Sequence, residues 1–418
     1  MTIQGRRPSA LAESPLARPV FRTWSIVILI LVLGVGALVI ARIIRGIDGG
    51  WAVAGLATVI GLAAAVPAIV LLRYLDRREP EEGSLLLIAF LWGALAATGI
   101  AVVLNGFFGE LVVAQFNETA GLVDTSRFGY ELLDIDQLFR WLRSAFVAPY
   151  VEEAVKGVAL IVLVLLARTE FTSMRDGIVY GGFIGLGFAV AEYVVFTVQG
   201  YGAAGTADYA AQFVPRFVLF GVNGHALYTA LFGASVGWVR QTDLRRIHQV
   251  LVLVSGYLLA AAGHAISNAF APFALGLFAS LYGFDPNRIN VVDLWILDLS
   301  ATLAVNLWVY VLLVLLVLIS GYWEMRVCRE ELAAEIGQCI TPEEYRLVED
   351  ERLFRLRRLP ELTRRQSADL VRAQNELAFR RYEVRRAGGD PAADGLTQEW
   401  RERVALLREE AASASTVA

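Results

Sequence analysis

The sequence predicts an all-α fold: a polytopic membrane bundle of about eight transmembrane helices with a C-terminal cytoplasmic helical tail. Three observations carry that expectation. Of 418 residues, 56% are hydrophobic and 19% charged, against roughly a quarter charged in a soluble domain. Mean hydropathy is +0.55. The charges crowd into the N-terminal arm, the connectors and the tail, and the apolar blocks between them have the ~20-residue length of a spanning helix.

The N-terminal arm, 1–22, holds Arg6, Arg7, Arg18 and Arg22 ahead of the apolar run Trp24–Ile40. That run is too long for a signal-peptide core and lacks a small-x-small site, so it reads as an uncleaved first span. Hydropathy then places spans at 23–43, 52–72, 84–107, 145–167, 177–198, 214–238, 249–279 and 293–322. The seventh run exceeds one untilted crossing, so it is expected to tilt, to kink near Pro272 or to end in a surface segment. Arginines set the direction. The arm, the 73–83 connector, Arg168 with Arg175, Arg240 with Arg245 and Arg246, and the Arg-rich tail all fall on one side. Both termini are therefore expected to be cytoplasmic, in a multi-pass protein of the cell membrane. The opposite connector, 109–143, is acidic, with Glu110, Glu118, Asp124, Glu131, Asp134 and Asp136. Arg42 and Arg45 fall on the wrong side, where snorkelling accommodates them.

The spans form one membrane unit, 23–323, followed by a tail, 324–418. In the tail, Thr341-Pro342-Glu343-Glu344 is a capping box with Pro at the first helical position. Tyr345, Val348, Leu353, Phe354 and Leu356 continue with helical spacing, Gly388–Pro391 breaks the pattern, and a short helix is expected from about Thr397. The tail reads as a solvated helical appendage that packs on itself or on the membrane surface. Net charge is −4, which points away from nucleic acid. The only cysteines, Cys328 and Cys339, form neither a disulfide framework nor a zinc knuckle.

The informative residues are those that a bilayer should exclude. Glu152, Glu153 and Lys156 lie inside the fourth run, and each ionisable group at membrane depth costs roughly 2.5–3.5 kcal/mol on insertion scales. Either glutamate can pair with Lys156, at i,i+3 or i,i+4. Glu192 lies in the fifth run on the face of Phe188. His225, with Asn223 nearby, lies in the sixth, and His264 and Asn268 share a face of the seventh. At 1.5 Å per residue all of them reach the outer half of the bilayer, where one cavity would serve them. Glu153 with Lys156 can be a neutralising pair, and His225 or Asn268 alone can be a helix–helix hydrogen bond. Carboxylates, imidazoles and an amide at one depth are together the parts of a hydrolytic site.

No His-Glu-x-x-His, Gly-x-Ser-Gly or intramembrane Gly-x-Gly-Asp occurs. What occurs is Glu-Glu-x-x-Lys, Phe-x-x-x-Glu, a lone His and His-x-x-x-Asn, in that order, on four consecutive helices. This order, over about 145–270, resembles the PrsW family of intramembrane proteases, in the superfamily of the CAAX prenyl endopeptidases. Asp76-Arg77-Arg78-Glu79-Pro80-Glu81 is similar to a signature after the family's second span, with Glu82 in place of the final Pro. The tail lies outside the resemblance.

The resemblance implies an intramembrane endopeptidase of glutamic or metallo type. Its substrate is expected to be a membrane-anchored protein such as an anti-sigma factor, cut at or near the outer leaflet. Carried over, Glu152 is the general base, Glu153 supports it or pairs with Lys156, Glu192 and His225 position the water, and His264 and Asn268 hold the carbonyl oxygen. A metal stays open. Glu192, His225 and His264 make a three-ligand Zn2+ set with an open position, while a metal-free glutamate mechanism explains the same positions and is the preferred account. The rivals from other classes are a transporter or proton relay using the same Glu/His cavity, for which broken helices or repeated halves would speak, and a non-catalytic membrane binding protein.

Overall fold

The apolar runs fold as helices, and no strand occurs among the described residues. The computed structural model describes residues 14–120, 141–168, 170–219, 221–284, 288 and 290–417. Arg6, Arg7 and the acidic stretch 121–140 lie outside them.

In chain order, α1 (Pro19–Arg45) starts with Pro19 in its first turn, where a missing N–H costs nothing. It is followed by α2 (Gly50–Leu75) and α3 (Gly83–Leu91). A π turn, Trp92–Ala97, leads into α4 (Thr98–Ala120). A second π turn, Arg143–Val147, opens α5 (Ala148–Leu166). Then come α6 (Met174–Ala204), α7 (Tyr209–Phe217), α8 (His225–Gln241), α9 (Arg246–Tyr282) and α10 (Val291–Ala333). The tail adds α11 (Pro342–Glu349), α12 (Arg364–Arg386) and α13 (Gly395–Val417).

Among the described residues, six helical segments are long and apolar enough to cross a membrane: α1, α2, α3 with α4, α6, α9 and α10. The other two crossings expected from the sequence are α5, which carries the buried charges, and the pair α7–α8. The sixth span is therefore not one helix. It breaks between Phe217 and His225, where Gly221 and Gly224 have φ of +80° and +55°, a region that favours glycine. The side chain of Asn223 braces the break. Its Nδ2 donates to the Pro215 carbonyl at 3.1 Å, and its Oδ1 accepts from the Tyr310 hydroxyl at 2.9 Å. By contrast α9 runs unbroken through Pro272 for 37 residues, about 56 Å at 1.5 Å per residue. It must tilt or protrude from a ~30 Å hydrocarbon core.

The centre of the bundle is α6, buried along most of its length. It reaches α8 closely because glycines recur at every fourth position. A methyl at Gly181 would strike the backbone of Thr229, and one at Gly185 the backbone of His225. Small residues at this spacing let membrane helices meet backbone to backbone. The crossing fixes His225 against α6, one side chain's reach from Glu192.

The tail packs on itself. Val327, Leu332, Ile340, Leu377, Phe379 and Val404 are buried in a second core, and α10 runs continuously from the bundle into it. Cys328 and Cys339 are free, buried thiols in that core. The helical spacing expected through Leu353–Leu356 is not realised: α11 stops at Glu349, and turns follow to 355. The Asp76–Glu81 segment joins tail to bundle. Arg78 donates to Glu351 at 3.1 Å, to Glu324 at 3.4 Å and to the Arg352 carbonyl at 3.0 Å. Asn375 of α12 donates back to the Arg78 carbonyl at 3.1 Å. Beside it, Tyr180 of α6 donates to Glu81.

Candidate active site

Four helices that are apolar elsewhere bring their polar residues to one place. Glu152 and Glu153 come from α5, Glu192 from α6, His225 from the first turn of α8 and His264 from α9. Glu152 Oε2 lies 3.9 Å from His225 Nδ1 and 3.9 Å from His264 Nε2. The two imidazoles meet edge to face with ring centres 4.8 Å apart.

The far side of each imidazole is held by a carboxylate. His225 Nε2 donates to Glu192 Oε2 at 2.9 Å, and His264 Nδ1 donates to Glu153 Oε1 at 3.2 Å. A carboxylate only accepts, so these bonds place the protons on the far nitrogens. The lone pairs of His225 Nδ1 and His264 Nε2 then face Glu152. Rings hold the pair in place: Tyr228 stacks on His264 with centres 5.2 Å apart, and Phe188 packs its ring on His225 at 4.7 Å.

The two glutamates of α5 have different surroundings. Glu153 is saturated, with Lys156, His264 and the Thr229 hydroxyl all on its oxygens. Both Glu153 and Lys156 are fully buried. Glu152 accepts one bond, at 3.0 Å to Oε1, from Asn105 Nδ2 of α4. Its Oε2 is buried and has no hydrogen-bond partner. Lys156 Nζ also reaches His225 Nδ1 at 3.0 Å.

Glu192 is separated from the centre by His225. Its Oε2 is shared between His225 and Arg216 Nε of α7, the latter at 3.0 Å. Asn268 sits at the rim, where its Nδ2 donates to the Ser144 carbonyl at 2.8 Å. A cavity of about 340 Å³ opens onto Glu192, His225, His264, Asn268 and Asp298.

Of the acids and imidazoles at this depth, Glu152, His225 and His264 have ligand atoms close enough together to share one metal ion. Glu152 thus takes the position expected for Glu192, because Glu192 lies behind His225 and is engaged by Arg216. Three features suit a divalent ion: an unpartnered carboxylate oxygen, two imidazole nitrogens turned to it, that of His225 shared with Lys156 Nζ, and a carboxylate behind each imidazole, one of the usual partners of a ligating histidine's other N–H. Asn105, Arg216 and Asp298 are polar residues that the sequence reading passed over. Asn105 is a lone amide in an apolar run. Arg216, near the start of a run, looks interfacial. Asp298 begins a polar repeat, Asp298–Thr302–Asn306, at helical spacing.

Fold and site together define a class: a polytopic helical membrane protein with a buried carboxylate–imidazole centre of the kind that carries out hydrolysis. The chain belongs to the PrsW family of intramembrane metalloproteases, whose model matches residues 81–318. A curated relative, Protease PrsW of Oceanobacillus iheyensis, is 22% identical over 216 residues, covering 51% of this chain and 85% of that one. No solved structure matches. The protein is a membrane protease by family, and the match ends within α10, before the tail.

Proposed function

We propose that the chain is an endopeptidase that cuts a membrane-anchored protein in the outer half of the bilayer, with Glu152, His225 and His264 holding a divalent metal ion. One observation carries this reading. Two imidazoles, each with its far nitrogen on a carboxylate, turn their lone pairs to the same unpartnered oxygen, Glu152 Oε2. A zinc ion bound there would act as a Lewis acid on the scissile carbonyl and make water easier to deprotonate.

The chain's own residues do the rest. Glu153 and Glu192 fix the imidazole tautomers, and Asn105 orients Glu152. Glu192, held between His225 and Arg216, acts through the imidazole rather than on the water. Asn268 uses one hydrogen of its amide on Ser144 and offers the other to the carbonyl oxygen as charge develops. A donor so placed is worth roughly 3–4 kcal/mol. With both termini cytoplasmic, the cavity lies in the outer half of the bilayer, which suits a single-span substrate of the anti-sigma-factor class.

A second reading rests on Lys156. Its ammonium lies 3.0 Å from His225 Nδ1, which favours a metal-free centre where Glu152 Oε2 is the general base. The deciding experiment is cleavage of single-span substrates by reconstituted protein, with its metal content measured. The metal reading expects about one equivalent per chain, loss of cleavage on chelation, return on adding Zn2+, and loss of both metal and cleavage in Glu152→Gln. Full cleavage by metal-free protein would select the second reading. A fully active Glu152→Gln protein would refute both.

A further inference from the structure

The cavity beside the centre contains an acid that neither the hydrolytic chemistry nor the fold uses. Asp298 of α10 is 6% exposed. Its Oδ2 is buried without a hydrogen-bond partner, in the cavity that Glu192, His225 and His264 also line. The nearby cation, Arg216, makes no hydrogen bond to that oxygen. Arg216 spends Nε on Glu192 and Nη1 on the backbone and side-chain carbonyls of Gln212, each at 3.0 Å. Thr302, one turn along α10, lines the same wall and is buried as well. A buried carboxylate without a partner is costly. It persists where something outside the chain completes it.

We propose that Asp298 is a specificity residue that binds a Lys or Arg side chain of the substrate next to the bond that is cut. This rests on the protease reading above and names what that site selects. The depth fits. Asp298 is the eighth residue of α10, about 10 Å from its start. There, near the end of a substrate's own span, Lys and Arg extend their stems along apolar surface. The cavity, about 340 Å³, is within the ordinary range for a ligand pocket. A cationic side chain would face Asp298 and Thr302 while its backbone lies towards the histidines. A lone carboxylate with a hydroxyl suits one ammonium or guanidinium better than a second metal ion, which demands more ligands.

The test uses the full chain in liposomes and a single-span substrate whose cut position is mapped by mass spectrometry. Residues flanking the cut are changed one at a time to Lys, Gln or Glu, and kcat/KM is compared. Wild-type protein is expected to prefer Lys over Gln at one flanking position by about tenfold or more. Asp298→Asn should bring that ratio close to one, and Asp298→Lys should turn the preference towards Glu. The inversion separates recognition from damage, because a misfolded protein loses all substrates alike. A Lys preference that survives Asp298→Asn, or a wild-type protein indifferent to charge at every flanking position, would overturn the inference and leave the protease reading intact. A wild-type protein that cuts none of the substrates overturns both.

Discussion

Replacing Asn105 by Leu tests how the centre is aimed. Asn105 Nδ2 is the hydrogen-bond donor to Glu152 Oε1, at 3.0 Å, while Glu152 Oε2 has none. The substitution leaves a buried carboxylate without any hydrogen bond. Bonds to a charged acceptor contribute roughly 1.5–3 kcal/mol, which converts to a roughly 10- to 150-fold effect at 1.36 kcal/mol per decade. Global stability should change little, because Asn105 Oδ1 is itself buried and unpartnered, and leucine removes that unfavourable acceptor. The loss should therefore fall on the centre: weaker metal binding and lower kcat/KM, with a normal melting temperature. The assays are metal titration of the purified protein and cleavage in liposomes. If Asn105→Leu keeps kcat/KM and metal content within about twofold of wild type while Glu152→Gln is dead, the reasoning that Asn105 aims Glu152 is wrong.

Three further outcomes are expected. Glu153→Gln and Glu192→Gln each loosen one imidazole, so each should lower metal affinity about 10- to 100-fold in the same titration. Gly185→Val should destabilise the protein by about 1–3 kcal/mol or more, since its Cβ meets the His225 carbonyl; Gly55→Ala, whose Cβ meets nothing, is the control in the same thermal melts. At the tail junction, burial raises the Asp76 carboxyl from 3.8 to about 8, over the lowering effects of the Glu81 amide and Arg73. Burial also holds Glu79 and Glu81 well above the ordinary range. A raised carboxyl binds its proton more tightly when folded, so its stabilisation is full below the unfolded value and is lost as pH rises through about 8. Hydrogen-exchange protection in the 76–82 loop and α12, taken relative to the intrinsic rate at each pH, should be lower at pH 9 than at pH 6, and Asp76→Asn should flatten that difference.

Much of this was legible in the sequence because the bilayer makes polar residues conspicuous. Glu152, Glu192, His225 and His264 interrupt apolar runs, so their types and order point to one site before any contact is known. Asn105 is as close to the chemistry as any of them, but an uncharged amide in a span is a weak signal. The break at Gly221–Gly224 is hidden for a different reason. Residues on both sides are apolar, and hydropathy does not report backbone conformation. The glycines of α6 at 177, 181 and 185 are visible as a pattern, yet which helix they receive is a tertiary fact. In the tail, α12 is amphipathic against a core drawn from α10, α11 and α13, so its buried face has meaning only once those partners are placed.

The broken sixth crossing is a feature that transporters share, so the break alone does not separate a relay from a protease. The packing beneath the centre does. Towards the tail, the polar cluster ends on a layer of Leu160, Leu163, Ile184, Leu227 and Leu231, all buried in one apolar core. The next acids along α6 lie around Tyr180, which bonds Glu81, twelve residues or about 18 Å from Glu192. A relay needs polar steps across that distance, and this one is filled with leucine and isoleucine. A polar cavity that ends on this apolar layer suits the proposed hydrolysis and offers a relay no path. Opening the seal with Leu160→Ser should therefore leave the substrate's cut position unchanged and generate no proton flux, whereas flux at a rate matching turnover would revive the relay.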